Sequence, residues 1–142
     1  MINDLHSLKP AHKEVVMRSL RDTLAKHREI VFVYLHGSFV SGNRFRDIDM
    51  AVYVKKPPPS VLEYELQLER ELISVLGMYI IDVRVLNAAP LSFRYNVIKS
   101  GVVLLTTDDD VRADFQEATL SAYFDFLPYH NRYLQETLGV EL

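Results

Sequence analysis

The sequence predicts an α+β domain, a mixed β-sheet of about four strands with helices packed on it. Three observations predict it. β-Branched and aromatic runs recur at about 30–36, 47–54 and 78–86, with a short fourth in "VVLLT". Segments with helical spacing lie between and around them. The turn between the first two strands is too short for a crossover helix of about a dozen residues, so those strands are antiparallel neighbours. The 142 residues fit one domain, 1–142.

Taken in order, Pro10 to His27 reads as an amphipathic helix, with Val15, Val16, Leu20 and Leu24 at helical spacing. "EIVFVYLH" is the first strand and "IDMAVYV" the second. Pro57, Pro58 and Pro59 end the second, because proline cannot donate to a ladder. Ser60 and Glu63 form a capping box for a helix that runs to Leu76, with Leu68, Leu72, Val75 and Leu76 on one side and Gly77 as C-cap. "MYIIDVRVL" is the third strand. "PLSFRYNVIKSG" is a helix closed by Gly101. Asp108 to Asp110 place negative charge at the start of a last helix, about 109–137. Its inner stripe is Val111, Phe115, Ala118 and Ala122, and Pro128 interrupts or kinks it.

Composition removes several functional classes. The chain has no cysteine, which excludes disulfides, thiol catalysis and cysteine metal sites and agrees with a cytoplasmic location. The start, "MINDLHSLKP", lacks the basic-then-apolar layout of a secretory signal. No apolar run approaches the roughly 20 residues that cross a bilayer, so no membrane partner is expected. Net charge is −3, with no basic stripe of the kind that grips a nucleic-acid polymer.

The chemistry concentrates in "YLHGSFVSGNRFRDIDMAVYV". Asp47 and Asp49 share one face of the second strand, while Ile48, Met50 and Val52 share the other. Two close carboxylates repel, and an ionised carboxylate in apolar surroundings costs several kcal/mol. Solvent, the nearby Arg44, Arg46 or Arg84, or a divalent cation would relieve this. Asp82, mid-strand in "YIIDVRVL", adds a third carboxylate if the third strand pairs with the second. Three hard oxygen donors suit Mg²⁺. Gly37 has no Cβ and Ser38 offers a hydroxyl and an amide, so this pair suits a phosphate. A lone Gly-Ser is ordinarily a turn, and a lone Asp-x-Asp a solvated strand end. The order strand, Gly-Ser, loop, Asp-x-Asp, later Asp is what favours a site. Of the five histidines, His6, His12, His27 and His130 read as surface residues, and His36, next to Gly37, as structural.

At Gly37, Ser38, Asp47, Asp49 and Asp82 the chain resembles the DNA polymerase β-like nucleotidyltransferase superfamily. Within it, the likeness is to the minimal nucleotidyltransferase (MNT) antitoxins, often paired with a HEPN-domain toxin. Phe93 to Phe115 extends the likeness through a helix, a glycine, a strand, an acidic turn and the final helix. The eight residues from Phe39 to Arg46 make a spacer shorter than is usual in the family. The resemblance implies the polymerase β-like fold and Mg²⁺, two ions, on Asp47, Asp49 and Asp82. It implies ATP as substrate with its phosphates at Gly37 and Ser38, and Asp82 as base for the attacking hydroxyl. It also implies a HEPN-type toxin as partner in a hetero-oligomer, adenylylated on a Tyr, Ser or Thr hydroxyl. Two alternatives stand beside this: a non-catalytic antitoxin that binds its toxin stoichiometrically, with "YFDFLPYHNRYL" as docking surface, and a small-molecule adenylyltransferase.

Overall fold

The structure, a computed structural model, describes residues 5–139 apart from the side chain of His130. The expectations that rest on Met1–Asp4, on the last three residues and on the exposure of His130 therefore lie outside the described residues.

Among the described residues nine elements follow one another: α1 (Pro10–Leu24), β1 (Ile30–His36), α2 (Ser38–Ser41), β2 (Asp47–Val54), α3 (Val61–Leu76), β3 (Ile80–Val85), α4 (Leu91–Ser100), β4 (Val102–Thr106) and α5 (Asp109–Leu138). The sheet order is β3-β2-β1-β4. β1 is antiparallel to both β2 and β4, and β3 is parallel to β2, so the sheet is mixed as expected. Among the described residues no helix is long and apolar enough to cross a membrane.

Strand alternation sorts side chains into two layers. Ile48, Met50, Val52, Ile81 and Val83 bury against Leu20 and Leu24 of α1 and Leu68 and Leu72 of α3. On the other face a smaller cluster of Phe32, Tyr34, Ala51 and Val97 is covered by α4 and the start of α5 through Phe93, Val111 and Phe115. Asp47 and Asp49 lie on this second face by the same alternation, at the end of β2 that the smaller cluster leaves uncovered.

Several helix signals hold. The Ser60 hydroxyl accepts the Glu63 amide, Asp108 accepts the Val111 amide, and Gly77 closes α3 at φ 81°. Others shift. α1 ends at Leu24, and Val15 and Val75 are exposed. The inner stripe of α5 is Val111, Phe115, Thr119 and Tyr123, while Ala118 and Ala122 face solvent. α5 rests on α4 at Tyr95, whose ring stacks on Tyr123 at 3.7 Å, and that contact sets the rotation. The helix also runs through Pro128 without a break. Proline frees one carbonyl a turn earlier, and here that carbonyl belongs to the exposed Phe124.

Both sheet edges are closed by side chains. On β3 the amides of Val83 and Val85 donate to Glu69 and Glu65 of α3, each at 2.8 Å. At β4 the carbonyl of Leu104 accepts Arg21 Nε at 2.9 Å. Glu65→Ala and Glu69→Ala should each cost about 1 kcal/mol in denaturant unfolding. Each should also speed hydrogen exchange at its own amide, Val85 or Val83 respectively. Exchange unchanged at both amides would contradict this account of the edge.

Candidate active site

Four elements deliver the candidate residues. Gly37 ends β1 in the left-handed region, φ 76°, and opens α2 at Ser38. Its carbonyl accepts the Val40 and Ser41 amides. A Cβ at Gly37 would overlap the Asp49 carboxylate, so glycine lets Asp49 sit directly against the turn. Across the parallel β2–β3 ladder the Cα partner of Asp49 is Asp82, and across the antiparallel ladder it is His36. Asp47 lies two residues back on the same face. Gly37, Asp47, Asp49 and Asp82 are thus brought into one neighbourhood, with Ser38 exposed beside it.

The charge there is unbalanced. The Asp49 carboxyl is pushed up to about 6 from 3.8, first by burial, then by the charges of Asp47 and Asp82, with Arg84 pulling the other way. Arg84 Nε approaches Asp82 at 3.5 Å, a loose contact at an exposed site. The His36 imidazole supplies no compensating cation. Burial holds it below the usual histidine range, against the pull of Asp82 and Asp47. Its Nε2 is buried without a hydrogen-bond partner among the described residues. Its ring packs edge-on against Phe93 at 5.5 Å.

Among the described residues no three His, Asp or Glu groups are gathered closely enough to ligate one ion as they stand. The chemistry of the donor set nonetheless fits a hard divalent cation: three carboxylates on adjacent strands, one of them resisting ionisation, and no cysteine.

The Phe39–Arg46 spacer is anchored in the core at both ends by Phe39 and Phe45. Phe39 and Phe45 are both buried and meet edge-to-face at 4.9 Å. Lys13 of α1 donates to the carbonyls of Phe39 at 2.7 Å and Gly42 at 3.2 Å. His6 exchanges both backbone hydrogen bonds with Phe45 and packs on Tyr79. These supports escaped the sequence reading. Two phenylalanines in a short loop were a visible signal, whereas nothing marked Lys13 or His6. His27 lies at the surface, where its two ring nitrogens face the partly exposed Glu29 and Glu71.

The family model for polymerase beta nucleotidyltransferases matches residues 18–110, which include Gly37, Ser38, Asp47, Asp49 and Asp82. The chain belongs to that family. No curated protein matches it. Solved structures share its fold. A chain of the complex of tri-AMPylated Shewanella oneidensis HEPN toxin with MNT antitoxin superposes with a TM-score of 0.71 at 21% identity, over 90% of this chain and 99% of that one. A toxin–antitoxin complex with AMP-PNP gives 0.68 at 24% identity, over 90% and 98%. The toxin–antitoxin complex MntA–HepT gives 0.65 at 21%, over 93% and 100%.

Two stability measurements probe this geometry. Gly37→Ala should cost more than Gly77→Ala. Both replace a positive-φ glycine, at about 1–2 kcal/mol, but Gly77 has open space where Gly37 meets Asp49. Equal losses would remove the close approach from the account. Asp49→Asn should stabilise the free protein, on the order of 1 kcal/mol. The folded carboxyl holds its proton up to about pH 6 and the unfolded one only to about 3.8. Ionised Asp49 therefore costs stability fully above pH 6, and the gain from asparagine should fade as pH falls toward 3.8. Melting temperatures from pH 4 to 8 read this directly.

Proposed function

We propose that this chain is a Mg²⁺-dependent protein adenylyltransferase and the antitoxin of a HEPN-type toxin, transferring AMP from ATP to a tyrosine, serine or threonine hydroxyl of that partner. The observation that carries the proposal is the ladder register that sets Asp49 against Asp82, beside Gly37, in a member of the nucleotidyltransferase family. The partner is supported by solved structures of like fold: one complex contains an AMPylated HEPN toxin with an MNT antitoxin, and another contains AMP-PNP. Residues 1–142 act as one nucleotidyltransferase domain in the cytoplasm, where ATP and the partner are available.

The roles follow from the chemistry of each group. Gly37 and Ser38 receive the triphosphate through the turn's backbone and the exposed hydroxyl. Asp47, Asp49 and Asp82 would hold Mg²⁺, two ions, which supplies charge neutralisation at the phosphates. The acceptor oxygen forms a bond to the α-phosphorus. The bond from that phosphorus to the α–β bridging oxygen breaks, and pyrophosphate leaves. The hydroxyl proton passes to Asp82 or to water. Orientation and charge compensation, rather than covalent participation by the protein, supply the rate.

A second reading has an observation of its own. Phe124, Tyr129 and Tyr133 on the outer half of α5 are 58, 75 and 60% exposed. Exposed aromatics of this kind are enriched at interfaces, and a toxin could be masked by binding alone. One experiment separates the readings. With ATP, Mg²⁺ and a HEPN partner, the wild-type chain should add the mass of one or more adenylyl groups to the partner. Asp47→Asn and Asp49→Asn should each lower the rate at least a hundredfold, as loss of a charge-stabilising group does. Full neutralisation of the toxin by the Asp47→Ala/Asp49→Ala variant would establish masking instead.

A further inference from the structure

A cavity of about 360 Å³ opens at the C-terminal end of β3, between the start of α3 and the segment that leads into α4. Its walls are Pro57, Val61, Val85, Ala88, Ala89 and Phe93, with Glu65 and Arg84 at its polar margin. It touches the candidate active site twice. Arg84, which approaches Asp82 at 3.5 Å, lines it. So does Phe93, whose ring packs on His36.

The walls are held in place by hydrogen bonds. The Asn87 side chain pairs with both backbone groups of Val54, accepting its amide at 3.0 Å and donating to its carbonyl at 2.7 Å. The Leu86 amide donates to Val52 and the Ala89 amide to Leu86. The Glu65 carboxylate accepts the Val85 amide. A pocket built this way exists before any ligand arrives, which lowers the ordering cost of binding.

The same hydrogen bonds decide what fits. Asn87 and Glu65 carry the side-chain amide and carboxylate that could read a purine edge, and the Asn87 oxygen, one of its amide hydrogens and one Glu65 oxygen already serve backbone partners. A base in this pocket would leave its ring nitrogens and exocyclic group against alanine, valine and proline, at the cost of unpaired buried polar groups. A phenyl or indole ring has no such need and gains from the Phe93 and proline walls.

Position points the same way. Across the sheet the order is Gly37 after β1, Asp47 and Asp49 on β2 and Asp82 on β3, with the cavity further along β3 at Arg84 and Val85. In an in-line displacement the attacking oxygen stands opposite the leaving pyrophosphate. With the phosphates at Gly37 and Ser38, the acceptor approaches over β3.

We infer that this cavity is the acceptor-anchoring pocket: it takes an aromatic side chain of the acceptor polypeptide that flanks the hydroxyl to be adenylylated. The inference rests on the adenylyltransferase reading above, and its test separates the two. The chemistry is that already written, and the pocket supplies only orientation.

Ala88→Trp and Val61→Trp fill the cavity from opposite walls at surface positions, and Leu62→Trp, on the exposed neighbouring position, is the control. With the HEPN partner as acceptor, each filling variant should raise the KM for the partner about tenfold or more. The AMP-PNP dissociation constant should stay within about twofold, and the control should match wild type. N-acetyl-L-phenylalaninamide provides a readout without any partner: it should shift the Val85, Ala88 and Ala89 amide resonances of the wild-type chain, and adenosine should not. Wild type that modifies no partner yet shows these shifts would overturn the adenylyltransferase reading and keep the aromatic pocket. Unchanged KM in both filling variants, AMP-PNP affinity falling in step with them, or shifts produced by adenosine instead, would overturn the pocket assignment.

Discussion

Hydrophobic burial on one face of the sheet brings like charges together on the other. Asp49 faces Asp82 across a parallel ladder, with Asp47 two residues away and the turn at Gly37 pressed against Asp49. Left alone, the carboxylates would separate. They stay because the residues between them, Ile48, Met50, Ile81 and Val83, are buried on the opposite face against α1 and α3. A one-residue slip of either strand would send those apolar side chains to the open face and carry the aspartates into the core. The register is therefore set by hydrophobic burial on one side of the sheet, and the charge cluster on the other side is its consequence.

The supports of the site come from behind it in the same way. Glu69 of α3 accepts the amide of Val83, the residue that follows Asp82, and so fixes the backbone of that edge strand. Lys13 of α1 holds two carbonyls of the loop between Gly37 and Asp47. Neither side chain touches the aspartates. Both sit on helices of the larger cluster, where packing makes them rigid enough to position others.

Period and punctuation made most of the fold legible in the sequence. The alternation around Asp47 and Asp49 identified their face, and the mid-strand Asp82 was conspicuous because aspartate is rare in strands. Gly37-Ser38 was legible because its turn requires a residue without Cβ. What could not be read were relations between distant segments. The inner stripe of α5 was misassigned because alanine at helical spacing looks like a packing face, whereas the stacking of Tyr123 on Tyr95 rotates Thr119 inward. Pro128 announces a break only where the freed carbonyl lacks water. The roles of Lys13, His6, Glu65 and Glu69 depend on which helix lies behind which strand, and no local pattern encodes that.

The short spacer gains its meaning from the same contrast. A mobile flap over the phosphates would have let the nucleotide side of the site adapt to its ligand. Here Phe39 and Phe45 are buried, the α2 turn is closed on the carbonyl of Gly37, and His6 and Lys13 tie the loop down. The turn at Gly37 and the loop behind it are thus fixed before any ligand arrives. The other side of the aspartates is more open, and there Arg84 is 63% exposed. On the proposed reading, the fixed loop beside Gly37 takes the phosphates and the wall at the end of β3 takes the acceptor, so the two substrates meet separate parts of the sheet.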